Sequence, residues 1–145
     1  MGQQQVLLIL LGVLVVAIAI AVGLSLFQSK SADASRDQLI NSLQSLASKA
    51  QIYYRRPASM GGGEGSFKNF ALAPADSGND GGSFSCAHNE PRGTDYVPGS
   101  ADRFPPGSPT MYIVGCGKEF GRNGTDMTKA YVKVTKDSAI VSVLN

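Results

Sequence analysis

Residues 6–24 read VLLILLGVLVVAIAIAVGL, and this stretch decides how the chain is organised. It contains only Val, Leu, Ile, Ala and two glycines, and the first charged side chain of the protein is Lys30. At about 1.5 Å per residue, a helix of this length spans roughly 30 Å, which matches the hydrocarbon core of a bilayer. An apolar segment this long needs lipid or protein on every side, so we expect a helix in one of those surroundings.

The composition of the whole chain limits the classes of function. A length of 145 residues is typical of one domain, and the net charge is +2. Lys and Arg are dispersed, with Arg55 and Arg56 as the only adjacent pair. Because phosphate binding needs clustered basic side chains, we expect no nucleic-acid partner.

Residues 31–56 have the spacing of an amphipathic helix that continues the apolar segment of residues 1–30. Its apolar side consists of Leu39, Leu43, Leu46, Ala50 and Tyr53. This pattern predicts a helix packed on a sheet, ending before Pro57 because the residue before proline disfavours helix. The polar stretch 28–35 is compatible with an uninterrupted helix and equally with a kink followed by a new N-cap.

Residues 57–109 are predicted to be a long Gly/Pro-rich loop region. They hold all seven prolines and ten of the seventeen glycines of the chain. Large apolar residues nevertheless recur in this region, and they are Phe67, Phe70, Leu72, Phe84, Tyr96 and Phe104. We therefore expect an ordered surface loop held by these side chains, since loops of this length usually have a function or a partner.

The C-terminal region, residues 110–145, has the pattern of antiparallel strands. The predicted strands are MYIV at 111–114, AYVKVT at 130–135 and AIVSVL at 139–144, with a tight turn between the last two. Packed against the amphipathic helix, they predict an α+β fold with a long N-terminal helix and a small antiparallel head.

The N-terminal region resembles type IV pilins and related pilin-like filament subunits. The resemblance rests on a short leader ending in Gly2, a long apolar helix and a small Gly-rich domain behind it. More narrowly, the start MGQQQ and the segment QIYYRRPASMGGGEGSF are similar to pilin-like proteins of environmental bacteria. The resemblance implies a pilin-like fold and a structural role. The subunit would be inserted in the inner membrane, where pilus assembly machinery acts on it, and would polymerise with its own copies into an extracellular filament.

The same resemblance implies particular sites. A leader peptidase would cut between Gly2 and Gln3. The filament core would be formed by Val6, Leu7, Leu10, Leu11, Leu14, Val15, Ile18 and Val22. The family usually carries Glu at the position of Leu7, where it opposes the terminal amine of a neighbouring subunit. A lone ammonium in an apolar core is costly, so we hypothesise an uncleaved or charge-neutralised N-terminus in this chain.

A different class of function uses the same segment only as an anchor. In this alternative, the protein is a single-pass membrane-anchored pseudopilin, or an adhesive or ligand-binding surface protein, that forms no long filaments. An enzyme is not expected, because a single histidine and this loop chemistry assemble no catalytic triad or carboxylate pair.

Cys86 and Cys116 are the only cysteines. In an exported domain an even number favours a disulfide, although two reduced thiols are the alternative in a cytosolic domain. Cys86, His88 and Cys116 do not have the spacing of a standard zinc site, so neither a metal nor another cofactor is expected.

Two turn-like motifs complete the candidate sites. Residues 61–65 read GGGEG, which matches a phosphate loop only in glycine content and favours a tight or flexible exit from the helix. Asn123-Gly124-Thr125 fits an N-glycosylation acceptor, with a plain Asn-Gly turn as the alternative.

Overall fold

The computed structural model describes residues 2–91, 108–121 and 124–144. These residues form one long α-helix, α1 (Gly2–Arg55), a short 3₁₀ turn (Ala58–Met60) and a five-stranded antiparallel sheet. The strands are β1 (Gly78–Asn79), β2 (Gly82–Ala87), β3 (Thr110–Phe120), β4 (Met127–Thr135) and β5 (Ala139–Val143), and their order in the sheet follows the chain. The predicted α+β fold, a long N-terminal helix on a small antiparallel sheet, is confirmed.

The helix α1 is continuous over 54 residues, or about 80 Å. Residues 28–35 stay helical, so of the two alternatives the uninterrupted helix is correct. The helix ends at Arg55, two residues before Pro57, in agreement with the predicted end before this proline. Its second half alone packs on the sheet and buries Leu39, Leu43, Leu46, Ala47 and Ala50.

The core of the head lies between the second half of α1 and one face of the sheet. The helix leucines meet alternate residues of the central strands, including Met111, Ile113, Val132 and Val134, all fully buried. Gly115 lies at the closest approach, since a Cβ there would be 3.0 Å from the Cδ1 atom of Leu39 and 2.9 Å from the ring of Phe84. The glycine in the middle of β3 therefore allows the helix to pack directly on the strand.

The region predicted to be an ordered loop contributes two strands. β2 occupies Gly82–Ala87 and pairs along its length with β3, while β1 adds a two-residue edge. Polar and apolar residues alternate over only four positions of β2, 83–86, next to two glycines, so the local strand signal is weak. The strand is stabilised by pairing with residues about thirty positions away. The three predicted strands are present, and β3 and β4 are longer than predicted.

The aromatic residues of the same region partly explain why it is ordered. Phe67 is fully buried, Phe84 is in the core, and Phe70 and Leu72 pack against it, as expected for side chains that hold the segment. On the last helical turns, Tyr53 contacts Phe70 edge to face with ring centroids 5.3 Å apart, and Tyr54 contacts Phe67 in a tilted arrangement at 4.9 Å. Tyr96 and Phe104 lie outside the described residues.

Candidate functional site

The most unusual surface of the molecule is the first half of α1, which projects from the head. Every residue from 2 to 30 is exposed, and no part of the apolar span is buried within the protein. Among the described residues, this is the one helix whose length and composition allow it to cross a membrane. We call residues 2–30 the projecting helix. It is about 43 Å long.

Between residues 6 and 24 the projecting helix is apolar around its whole circumference. The eight residues predicted to form a filament core are all exposed, and at 100° per residue they cover about half of the helix surface. The opposite half is equally apolar and exposed through Leu8, Ile9, Val13, Val16 and Ile20, which were not included in the predicted core. The sequence did contain a signal for these five residues, since residues 6–24 are apolar on every face. A helix that is apolar all round must be covered on all sides.

Gly2 and Gln3, the candidate leader-peptidase site, form the first turn of the projecting helix and are exposed. They lie at the end of α1 that is farthest from the head. A protease reaching them would meet only this helix, since α1 contacts the sheet through its second half.

The predicted disulfide is not formed. Both cysteines are free: Cys86 pairs in register with Ile113, whereas Cys116 pairs with Ser83. The two positions are three residues apart along the β2–β3 ladder and therefore on opposite faces of the sheet, which excludes the Cβ separation of about 4 Å that a disulfide needs. Cys86 faces α1 as part of the core.

Both thiols are protonated at neutral pH. Burial raises the pKa of Cys86 to about 12, an effect that the backbone hydrogen bond at Leu72 only partly offsets. Burial also raises the pKa of Cys116, although the nearby positive charge of Lys129 acts in the other direction. Neither cysteine therefore has the lowered pKa of a reactive thiol.

The same geometry separates the residues considered for a zinc site. Because Cys86 and Cys116 point to opposite faces, they cannot bind one ion together with His88. The Glu90 carboxylate accepts a hydrogen bond of 2.9 Å from the Tyr131 hydroxyl. Over the residues that the structure describes, no three His, Cys, Asp or Glu side chains come together as metal ligands.

The glycine-rich segment 61–65 caps the C-terminus of α1. The amides of Gly63 and Gly65 donate to the carbonyl oxygens of Tyr53 and Tyr54, both at 2.9 Å, and the amide of Glu64 donates to Arg56 at 3.1 Å. A Cβ on Gly63 would lie 1.9 Å from a backbone oxygen. The tight-turn interpretation is confirmed, and these N–H groups are occupied by helix carbonyls.

Asn123, the candidate glycosylation residue, lies outside the described residues. No protein-family model matches the chain, and no curated protein or solved structure is significantly similar to it. The function must therefore be inferred from the residues of this chain, among which the projecting helix is the feature that most needs a partner.

Proposed function

We propose that the protein is a structural subunit of an extracellular filament of the type IV pilus kind, polymerised through the projecting helix. The single observation that carries the proposal is a helix apolar on all sides and fully exposed, continuous with the helix that forms the core of the head. Such a surface is unstable in water, so it must be covered by lipid or by protein.

Both kinds of cover are used in turn in the proposed function. The apolar run is long enough to cross the hydrocarbon core of the inner membrane before assembly. In the filament, the projecting helices of neighbouring subunits would replace the lipid, while the heads remain outside in water. The partners are then the membrane, the pilus assembly machinery and further copies of the same chain, and the final location is the cell surface.

The end of the projecting helix fits a neutral N-terminus. Leu7 is exposed and apolar, so it offers no carboxylate to a terminal amine. Gln3, Gln4 and Gln5 provide neutral donors and acceptors instead. The intact mass of the purified protein tests this hypothesis, because a chain that lacks Met1 and Gly2 and has a free amine would contradict it.

A second candidate rests on the length of the apolar run. A span of roughly 30 Å is sufficient for a single-pass anchor, so a pseudopilin or an adhesive head that does not polymerise needs no further surface. The apolar surface on all sides of the projecting helix favours the filament over the anchor only if neighbouring subunits, rather than lipid, cover that surface in the final state.

Electron microscopy of the sheared surface fraction tests the proposal. Cells that produce the full chain should yield thin filaments, and mass spectrometry should identify this protein as their subunit. The matched control is the same chain with Ile18→Lys, which places a charge in the middle of the apolar run and should give no filaments. If the wild-type chain stays entirely in the membrane fraction, the anchor is correct and the filament is wrong.

A further inference from the structure

The ends of β3 and β4 carry exposed apolar side chains at one end of the head. Phe120 and Met127 are paired across the two strands, and their exposed fractions are 58% and 46%. Two backbone hydrogen bonds join described residues next to these positions, since the Gly121 amide donates to the Asp126 carbonyl at 2.7 Å and the Gly124 amide donates to the Gly121 carbonyl at 2.9 Å. We call residues 118–121 and 124–127 the β3–β4 tip.

The β3–β4 tip lies beside the end of the projecting helix. Along the strand, Gly115 is next to Leu39 and Gly117 is next to Ser35, so β3 runs antiparallel to α1. Three more residues of strand cover about 10 Å, which equals six to seven helical residues and puts Phe120 at the level of residues 28–29. A notch between the two elements is lined by Phe27 and Gln28 on one side and Phe120 on the other.

This level is also where the apolar run ends. Phe27, three residues beyond the run, is the last large apolar residue before Gln28, Ser29 and Lys30, and 72% of its surface is exposed. When α1 spans a bilayer, the polar residues after Phe27 lie among the lipid headgroups. Because β3 packs on α1, the β3–β4 tip at its end lies at the same level along the helix and would meet the headgroups too.

We propose that the β3–β4 tip is a second membrane contact, with the Phe120 ring in the headgroup region of the bilayer beside Phe27. The proposal rests on the membrane stage of the proposed function. The chemistry of the tip fits a lipid interface: side chains such as Phe and Leu enter the boundary between headgroups and acyl chains, while the exposed Lys118 and Glu119 next to Phe120 stay in contact with water. With α1, the tip gives the head two points of contact and thus fixes its orientation on the membrane.

The chain contains no tryptophan, so a single introduced one reports on its own position. The full-length chain with Phe120→Trp is reconstituted in phosphatidylcholine–phosphatidylglycerol vesicles in which some acyl chains carry bromine close to the headgroup. Phe27→Trp is the positive control, because it marks the end of the span. Met60→Trp is the negative control, because Met60 is exposed at the opposite end of the head.

The expected result is blue-shifted emission and bromine quenching for Phe120→Trp, comparable to those of Phe27→Trp, and neither change for Met60→Trp. Quenching of Phe27→Trp alone would overturn this inference and leave the membrane span intact. Blue-shifted but unquenched emission of Phe120→Trp would mean that a second copy covers the tip, and would also overturn it. If no variant is quenched, the membrane stage of the proposed function fails together with this inference.

Discussion

Val15→Asp separates insertion in a membrane from assembly into a filament. Val15 is at the centre of the apolar run, and its side chain is 58% exposed and outside the core of the head. The substitution should therefore leave the folding of the head unchanged. Its effect depends entirely on what covers the projecting helix, which is the point that the proposed function must establish.

The membrane can tolerate this substitution. The run of residues 6–24 contains fourteen Val, Leu and Ile residues. On the scale for insertion by the translocon, each contributes about −0.3 to −0.6 kcal/mol, so the run totals roughly −4 to −8 kcal/mol. Replacing one Val by Asp, at about +2.5 to +3.5 kcal/mol, leaves roughly −0.5 to −5 kcal/mol, and insertion remains favourable.

The filament should not tolerate it. A carboxylate buried among neighbouring helices has no cationic partner, because residues 2–29 contain no charged side chain. The penalty for such an unpaired buried charge is several kcal/mol, and it recurs at every subunit of the polymer. We expect Val15→Asp to abolish filaments while the protein remains in the membrane fraction.

The assay combines carbonate-washed membrane fractionation with electron microscopy of the sheared fraction. Val15→Leu is the control for size, and Gln44→Glu is the control for added charge, since Gln44 is exposed on the head-bearing part of α1. Both controls should give normal filaments. Normal filaments from Val15→Asp would refute the assignment of this helix to a filament core.

Further predictions concern the head. A fragment of residues 31–145 should fold as a soluble monomer, with the circular dichroism of a packed α+β domain, because the buried core residues of the described chain all lie within it. In that fragment Leu43→Ala should lower the free energy of unfolding in urea by about 2–5 kcal/mol, since Leu43 is fully buried. Gly62→Ala should lower the urea midpoint because its Cβ would lie 2.1 Å from a backbone oxygen at the end of α1, whereas Gly78→Ala, with open space around it, should not. The free energy of unfolding should also fall as pH rises from about 9 towards 12. Over this range the Cys86 thiol is ionised in the unfolded chain but stays protonated in the folded one, where its pKa is about 12. Cys86→Ala should remove that part of the decrease.

The helix could be predicted from the sequence because its signals are local. The leucines at 39, 43 and 46 recur at helical spacing, Pro57 marks the end, and residues 28–35 contain no Pro or Gly to break the helix. The strands were harder to predict because their extent depends on pairing with distant residues and not on local signals. β3 continues through Gly115-Cys116-Gly117, where local propensity favours a turn, because β2 and β4 pair with it on both sides.

The cysteines illustrate a property that the sequence does not contain. Their even number favours a disulfide if the head is exported, but the outcome depends on the register between β2 and β3. Since Cys86 aligns with Ile113 and Cys116 with Ser83, the offset is odd and the two side chains lie on opposite faces. An even offset would leave them on one face. Alternation would distinguish the two registers, but residues 111–114 of β3 are all apolar and show none.

Because residues 6–24 are apolar on every face, the projecting helix fits a surrounding of many neighbours better than a single partner. A dimer partner would need only an apolar stripe, and the other faces of the helix would then be selected for polar residues. In residues 6–24 no face carries a polar side chain, and Val15 and Val16 on neighbouring faces are exposed to the same degree. Lipid can cover all faces, and so can a bundle in which each helix is enclosed by several others. If the protein does leave the membrane, a polymer with helices packed around one another covers this surface, and a small closed oligomer leaves part of it in water.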